Sequence, residues 1–357
     1  MEKICIIGVG YVGLVSGVGL SEFGNEVTCV DIDEEKIKQL NNCEIPIYEP
    51  GLKSLVKTNF NNKKLHFTND INKAIRNSKI IFIAVGTPQK KNGEADLSYV
   101  YAAANSIADN LNNYKIICTK STVPVGTGHE IEKIILSKND IKLFDYVSNP
   151  EFLREGSAVN DFMIPDRLVI GSRSNKAFNL MKNVYRPLFI NETPIMNTSV
   201  ETAEMIKYAS NAFLALKISY INEIANLCEA VGADVHQVAK AMGQDGRISP
   251  KFLHPGPGFG GSCFPKDTVA LSFLGTKNKL PLKTIEAAIE VNNNQSMRMV
   301  EKLIILLDNK ISNKKIAILG LAFKPKTDDV REAASRKIVP QLIKLGANIH
   351  AYDPIAM

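Results

Sequence analysis

Behind Lys3, the apolar run Ile4-Cys5-Ile6-Ile7 leads directly into Gly8-Val9-Gly10-Tyr11-Val12-Gly13. A short strand with no polar alternation belongs to a parallel sheet covered on both faces. A helix is predicted from the glycines to about Phe23, and a second strand, Glu26 to Val30, ends in Asp31. A GxGxxG that follows a strand, opens a helix and is succeeded about twenty residues later by an acid has the context of a dinucleotide site. Its glycines allow a tight turn and let a pyrophosphate approach the backbone, while the helix N-terminus faces the phosphate charge. Asp31 is placed to accept the ribose hydroxyls of an adenosine, which favours NAD over NADP. A glycine turn in some other α/β protein is the plainer alternative. Ile4 to Ser21 also forms 18 residues without a charge, as in a signal sequence or membrane helix. Gly8, Gly10, Gly13, Gly17 and Gly19 within it favour strand, turn and helix, and no targeting segment is expected.

The alternation continues. Strands are predicted at Ile80 to Val85, Lys115 to Thr119, Phe144 to Ser148 and Asp166 to Gly171, with helices at Leu97 to Leu111 and Gly126 to Leu136. This predicts an α/β fold beginning with a Rossmann-like, doubly wound parallel sheet over residues 1–199. Ligands gather at the carboxyl ends of such strands, where Thr87, Thr122 and the segment after Ser148 fall. That segment, Asn149-Pro150-Glu151-Phe152-Leu153-Arg154-Glu155-Gly156, sets two carboxylates four apart beside an arginine. They read as an acid/base pair or ligand contacts, and equally as a solvated helical turn.

From about Val200 the texture changes. Thr202 to Val231 carries apolar residues at helical spacing without proline or glycine, long enough to span two domains or form a dimer interface. Lys207 and Asn211 lie four apart on one face. A partly buried amine with a depressed pKa competes there with a surface lysine, which spacing alone prefers. Helices follow at Asp234 to Met242, Pro265 to Leu274 and Pro281 to Leu307, giving a central helical domain over residues 200–310. Lys315 to Gly320 then restarts the strand pattern, followed by a helix to about Leu345 and a strand at Asn348 to Tyr352. Residues 311–357 thus open a second, incomplete Rossmann-like domain. Two parallel strands do not make a stable sheet alone, so this piece packs on the rest of the chain or belongs to a longer protein.

Within the central region, Gly258-Phe259-Gly260-Gly261-Ser262-Cys263-Phe264-Pro265-Lys266-Asp267 concentrates the chemistry. The glycines let a ligand lie on the backbone. Pro265 suits a first helical turn, so Cys263 is expected just before a helix N-terminus. The helix dipole and Lys266 both favour its thiolate, as a nucleophile requires. A buried structural cysteine is the alternative.

A chain of 357 residues exceeds one ordinary core. Its net charge of +6, spread without a basic block, suits a small anionic ligand. Nothing in it argues for nucleic acid, and no membrane association is expected. The cysteines Cys5, Cys29, Cys43, Cys118, Cys228 and Cys263 form no CxxC pair or metal spacing, a reduced, cytoplasmic pattern.

Six motifs in order, GVGYVGLVSG (8–17), KSTVPVGT (120–127), SNPEFLREGSA (148–158), EMIKYASNAFLA (204–215), GFGGSCFPKD (258–267) and GLAFKPKTDDVRE (320–332), resemble the UDP-glucose/GDP-mannose dehydrogenase family. The resemblance runs from Lys3 to Pro354. It implies oxidation of the C6 hydroxymethyl of a nucleotide sugar to a carboxylate with two NAD+ and no metal, in a homodimer built on the long helix. UDP-glucose is the implied substrate, giving UDP-glucuronate for capsule or envelope polysaccharide. GDP-mannose and UDP-N-acetylhexosamines are the rivals, against which FGGSCFPKD and FLHPGPG favour UDP-glucose.

By the same resemblance Cys263 captures the C6 aldehyde as a thiohemiacetal that becomes a thioester. Lys207 polarises or protonates the C6 oxygen, and Asp267 assists in base chemistry and water activation. Glu151 is the acid/base for thioester hydrolysis, and Thr122 and Asn211 position water and the oxyanion. The implied cofactor contacts are Gly8, Gly10, Val12, Gly13, Asp31, Lys36, Thr87, Thr122, Glu155, Lys266 and Arg331. The implied substrate contacts are Glu151, Phe152, Leu153, Arg154, Glu155, Lys207, Asn211, Arg247, Phe252, Leu253, His254, Pro255, Gly256, Gly260 and Lys324, with Arg247 supplied by the neighbouring subunit. The family's third domain runs several tens of residues past a motif like Tyr352-Asp353-Pro354. A chain that binds NAD and dimerises without turnover therefore stands beside the active dehydrogenase. A two-electron hydroxyacid dehydrogenase, which needs no cysteine, is the third reading.

Overall fold

The structure is a computed structural model describing residues 1–357. In chain order it contains β1 (Lys3–Ile7), α1 (Tyr11–Glu22), β2 (Glu26–Val30), α2 (Glu34–Asn41), α3 (Leu52–Asn61), β3 (Leu65–Thr68), α4 (Ile71–Asn77), β4 (Ile80–Ile83), α5 (Ser98–Asn110), β5 (Lys115–Thr119), α6 (Thr127–Leu136) and β6 (Phe144–Ser148). There follow α7 (Ala158–Met163), β7 (Leu168–Ser172), α8 (Asn175–Val184), β8 (Ile195–Thr198), α9 (Val200–Val231), α10 (Val235–Gln244), α11 (Phe264–Lys277), α12 (Lys283–Leu306), β9 (Lys315–Leu319), α13 (Ala334–Lys344) and β10 (Asn348–Tyr352). They form two compact units, one of Met1–Lys90 with Ala95–Lys207, the other of Lys91–Glu94 with Tyr208–Met357. No helix is long and apolar enough to cross a membrane.

The first unit is built on an eight-stranded sheet in the order β3-β2-β1-β4-β5-β6-β7-β8. Period-two alternation explains its two covered faces. Ile4 and Ile6 of β1 enter a core with Leu14 and Val18 of α1. Cys5 and Ile7 enter the opposite core with Val100 and Ile107 of α5 and Ile131 of α6. Each such fully buried isoleucine is worth about 1.5–3 kcal/mol. Lys115, fully buried at the start of β5, donates to the carbonyls of Arg76 (3.1 Å) and Ser78 (2.6 Å), so its charge sits at the C-terminus of α4, where the helix dipole favours it.

One expectation needs correction: the sheet is not parallel throughout. β7 pairs antiparallel with β6, through Val147 with Ser172 and Ser148 with Gly171. A parallel return needs a crossover, usually a full helix. The connection here holds only the six-residue α7, whose Phe162 packs where Gly19 of α1 leaves no side chain. The reversal lays β7 beside the segment after Ser148, and Asn149 Nδ2 donates to the Val169 carbonyl at 2.7 Å.

In the second unit, Tyr208 and Ala212 of α9 pack with Ala270 and Leu271 of α11. The two-stranded parallel sheet β10-β9 does not stand alone. Ile316, Ile318 and Ile349 pack with Val300 of α12 and Leu342 of α13. α9 is continuous for 32 residues, about 48 Å at the usual helical rise, and runs from the first unit into the second.

Candidate active site

In the first unit the glycine loop has the tightness the motif requires. Gly8 has φ +97°, and a Cβ at Gly13 would lie 1.9 Å from the Gly8 carbonyl oxygen, so neither position accepts a side chain. A Cβ at Gly10 would meet nothing within 4 Å, leaving open space above the N-terminus of α1, where Val12 also lies. Asp31, past the end of β2, accepts the Val9 N–H at 2.7 Å and lies 3.4 Å from Lys36 Nζ. A carboxylate has about four lone-pair positions, so Asp31 keeps capacity for a ligand's hydroxyls. This cradle fits the pyrophosphate and ribose of NAD. Thr87 and Thr122 lie past β4 and β5, and Thr87 Oγ1 donates to the Thr122 carbonyl at 2.9 Å.

Glu151 is buried in the irregular stretch between β6 and α7, so the reading of this segment as a solvated helical turn does not hold. Its carboxylate meets Lys207 Nζ at 2.9 Å and accepts the Leu153 N–H. Lys207 is buried, against the surface position that spacing preferred. Two cations approach the Phe152 ring, with Arg167 3.9 Å and Lys207 Nζ 5.5 Å from its centre. Glu155 is half-buried, whereas Arg154 is exposed and pairs with Asp161 at 2.5 Å.

Two further residues escaped the sequence reading. Lys120, buried at the end of β5, donates to Asn149 Oδ1 at 3.1 Å and to the Tyr185 hydroxyl at 3.3 Å. Burial pushes its ammonium down to about 8, aided by Lys207 and opposed by Cys118 and Glu151. Glu49, also buried, accepts from the Tyr11 hydroxyl and from the Gly156 N–H (2.6 Å), tying the glycine loop to the Glu151 segment. A buried lysine or glutamate has no sequence signature, although Lys120 opens the motif KSTVPVGT.

In the second unit Cys263 is the N-cap of α11, with Pro265 in the first turn as expected. It is partly exposed, and its Sγ lies 3.7 Å from Ser262 Oγ. Asp267 is buried and held on both oxygens, by Asn211 Nδ2 at 2.6 Å and by Lys266 Nζ at 2.7 Å. Lys266 therefore shares its charge with Asp267. Gly260 and Gly261 serve close packing against the Phe323–Ala333 segment. A Cβ at Gly260 would lie 2.3 Å from the Glu332 carbonyl oxygen, and the Gly261 N–H donates to the Arg331 carbonyl at 2.8 Å.

The remaining candidates are dispersed over this unit. Arg247 is largely exposed and forks onto Asp245 (2.6 Å), and Arg331 onto Asp329 (2.8 Å). Lys324 lies 5.3 Å from the Phe323 ring centre. Phe252 adopts φ +66° and packs with Phe264, Leu253 is buried, His254 is exposed, and Pro255 and Gly256 are half-buried. No group of three His, Cys, Asp or Glu side chains is gathered for a metal.

Comparison with known proteins adds three domain matches. Residues 2–189 match the NAD binding domain of the UDP-glucose/GDP-mannose dehydrogenase family, residues 201–294 its central domain, and residues 317–357 its UDP binding domain. The UDP-glucose 6-dehydrogenase TuaD of Bacillus subtilis is 55% identical, over 100% of this chain and 77% of its own length. A UDP-glucose 6-dehydrogenase of Rhizobium meliloti is 52% identical, over 99% of this chain and 82% of its own. Among solved structures, a UDP-glucose dehydrogenase of Pyrobaculum islandicum superposes with a TM-score of 0.96 at 37% identity, covering 100% of this chain and 83% of that one.

Proposed function

This chain belongs to the UDP-glucose/GDP-mannose dehydrogenase family, and we propose that it oxidises UDP-glucose to UDP-glucuronate, removing four electrons from C6. The observation that carries the reading is the partly exposed Cys263 at the N-cap of α11. An aldehyde carbon becomes a hydride donor once a nucleophile has added to it, and a thiolate provides that adduct. Two NAD+ bound in turn would each accept one hydride.

Gly8, Gly10, Val12, Gly13, Asp31 and Lys36 hold the dinucleotide in this proposal, with Thr87, Thr122, Glu155, Lys266 and Arg331 as further contacts. Cys263 Sγ bonds to C6 of the aldehyde, giving a thiohemiacetal whose oxidation leaves a thioester. Lys207 protonates or polarises the C6 oxygen, and its burial beside Glu151 supports a role for this pair in proton transfer. Glu151 serves as acid/base while water cleaves the thioester to the acid and the free thiol. Thr122 and Asn211 orient that water and the oxyanion, and Asp267 assists as base. Glu151 to Glu155, Lys207, Asn211, Arg247, Phe252 to Gly256, Gly260 and Lys324 form the proposed sugar-nucleotide contacts.

We assign residues 1–199 to NAD binding, 200–310 to dimerisation and catalysis, and 311–357 to the UDP-sugar end. A homodimer across α9 is supported by exposed Phe213, Tyr220 and Leu227, which recur every seventh residue on that helix. None of the six cysteines is in a disulfide, in keeping with a cytoplasmic enzyme. The test is stoichiometric: two NADH per UDP-glucose support the reading, and one NADH or none sinks it. GDP-mannose and UDP-N-acetylglucosamine, run beside UDP-glucose, decide the substrate.

A further inference from the structure

The loop Gly256 to Gly261 leads into Cys263, and its backbone is tied down by side chains of α9 and α12. Asn292 Oδ1 accepts the Phe259 N–H at 2.7 Å, while its Nδ2 donates to the Phe259 carbonyl at 3.0 Å. One amide thus takes both polar backbone groups of one residue. At Gly256, Asn222 Oδ1 accepts the N–H at 2.8 Å and Gln295 Nε2 donates to the carbonyl at 3.1 Å. Ser296 Oγ donates to the Pro257 carbonyl at 2.9 Å. Asn292, Gln295 and Ser296 occupy positions i, i+3 and i+4 of α12, hence one face, and all three are buried.

A loop on a protein surface ordinarily gives its backbone groups to water. Here four side chains do that work, and the chain has adapted to them. Gly258 has φ +107°, and a Cβ there would lie 2.9 Å from Asn292 Oδ1, so the glycine and the asparagine require each other. On the neighbouring stretch, Gly260 abuts the Glu332 carbonyl and Gly261 donates to the Arg331 carbonyl. The loop is gripped at Gly256, Pro257 and Phe259 by amides and a hydroxyl, and at Gly260 and Gly261 it meets the backbone of a second segment.

We propose that Asn292 is a positioning residue for Cys263, with Asn222, Gln295 and Ser296 completing a polar clamp that fixes the approach of the nucleophile's loop. The proposal rests on Cys263 being the nucleophile. A displacement of about 1 Å at a reacting group can cost on the order of 100-fold in rate, so such a clamp acts on turnover more than on fold.

The test compares wild type with Asn292→Ala. Its readouts are melting temperature, kcat and KM for NAD with UDP-glucose, and the rate of Cys263 alkylation by iodoacetamide, read by peptide mass. The expected result is kcat lower by about 10- to 100-fold, KM for NAD within about 2-fold of wild type, and Cys263 alkylated at least about 5-fold faster as the loop loosens. A lower melting temperature with kcat and alkylation unchanged would overturn it, leaving the amides a purely structural role. If Asn292→Ala does not fold, Ser296→Ala removes a single bond and should change kcat and alkylation about 3-fold; unchanged values overturn the proposal equally. Should wild type fail to oxidise UDP-glucose, the functional reading falls, and the alkylation comparison still decides the clamp.

Discussion

Lys207 and Glu151 hold each other at 2.9 Å with 4% and 5% of their side chains exposed. Removing one partner of such a pair leaves a buried charge unpaired, at a cost of about 3–5 kcal/mol. Lys207→Met should therefore lower unfolding free energy by about 3 kcal/mol or more, while Lys207→Met combined with Glu151→Gln recovers most of it. Urea denaturation measures both. Equal losses in the single and double variants would mean that the pair does not carry the site's stability.

Cys263→Ser should reduce formation of the acid by at least about 1,000-fold, because an alkoxide forms far less readily than a thiolate. Its affinity for NAD, by fluorescence or calorimetry, should be that of wild type. Unchanged NADH production would end the thioester mechanism and favour the two-electron reading.

Lys120 gives the fold a pH dependence. Its folded value is about 8 against 10.5 in an unfolded chain. Between these the unfolded chain binds more protons, so stability rises with pH across that window, and below it the buried ammonium destabilises the fold. Relative to Lys120→Met, wild type should gain about 2 kcal/mol as pH rises from about 8 to 10. A difference independent of pH would contradict this.

The glycine loop separates ligand from fold. Gly13→Ala puts a methyl into the Gly8 carbonyl and should cost stability and NAD affinity together. Gly10→Ala enters open space and should leave the melting temperature unaltered while weakening NAD at least about 10-fold, because the proposed phosphate site lies on that backbone. NAD affinity intact in Gly10→Ala would place the cofactor elsewhere.

The α9 face tests assembly. Phe213→Glu with Leu227→Glu puts charges on a helix face whose large apolar groups are exposed in the single chain. Sedimentation should give a dimer for wild type and a monomer for the double variant. A wild-type monomer at micromolar concentration would remove the dimer from the proposal.

Much of this was legible in local pattern. Strands β2, β5, β6 and β10 have the bounds read from apolar runs, and Cys263 stands at its helix N-terminus because Pro265 marks that turn. Between Asp31 and Ile80 no strand or helix was read from the sequence, where four-residue β3 and seven-residue α4 are too short for periodicity to register. The reversal of β7 was also hidden, because an apolar run carries no direction. Lys120 and Glu49 lay beyond reach for another reason: their partners, Tyr185 and Gly156, stand 65 and 107 positions away, and burial created by distant chain leaves no local mark.

The continuity of α9 works as a gauge. Four residues of helix set Lys207 and Asn211 about 6 Å apart along the axis, and no loop motion alters that figure. Two side chains of one helix are thereby calibrated against each other before any ligand arrives. Inserting or deleting one residue between them would turn one group about 100° around the axis, and the site would lose its calibration with every side chain still present.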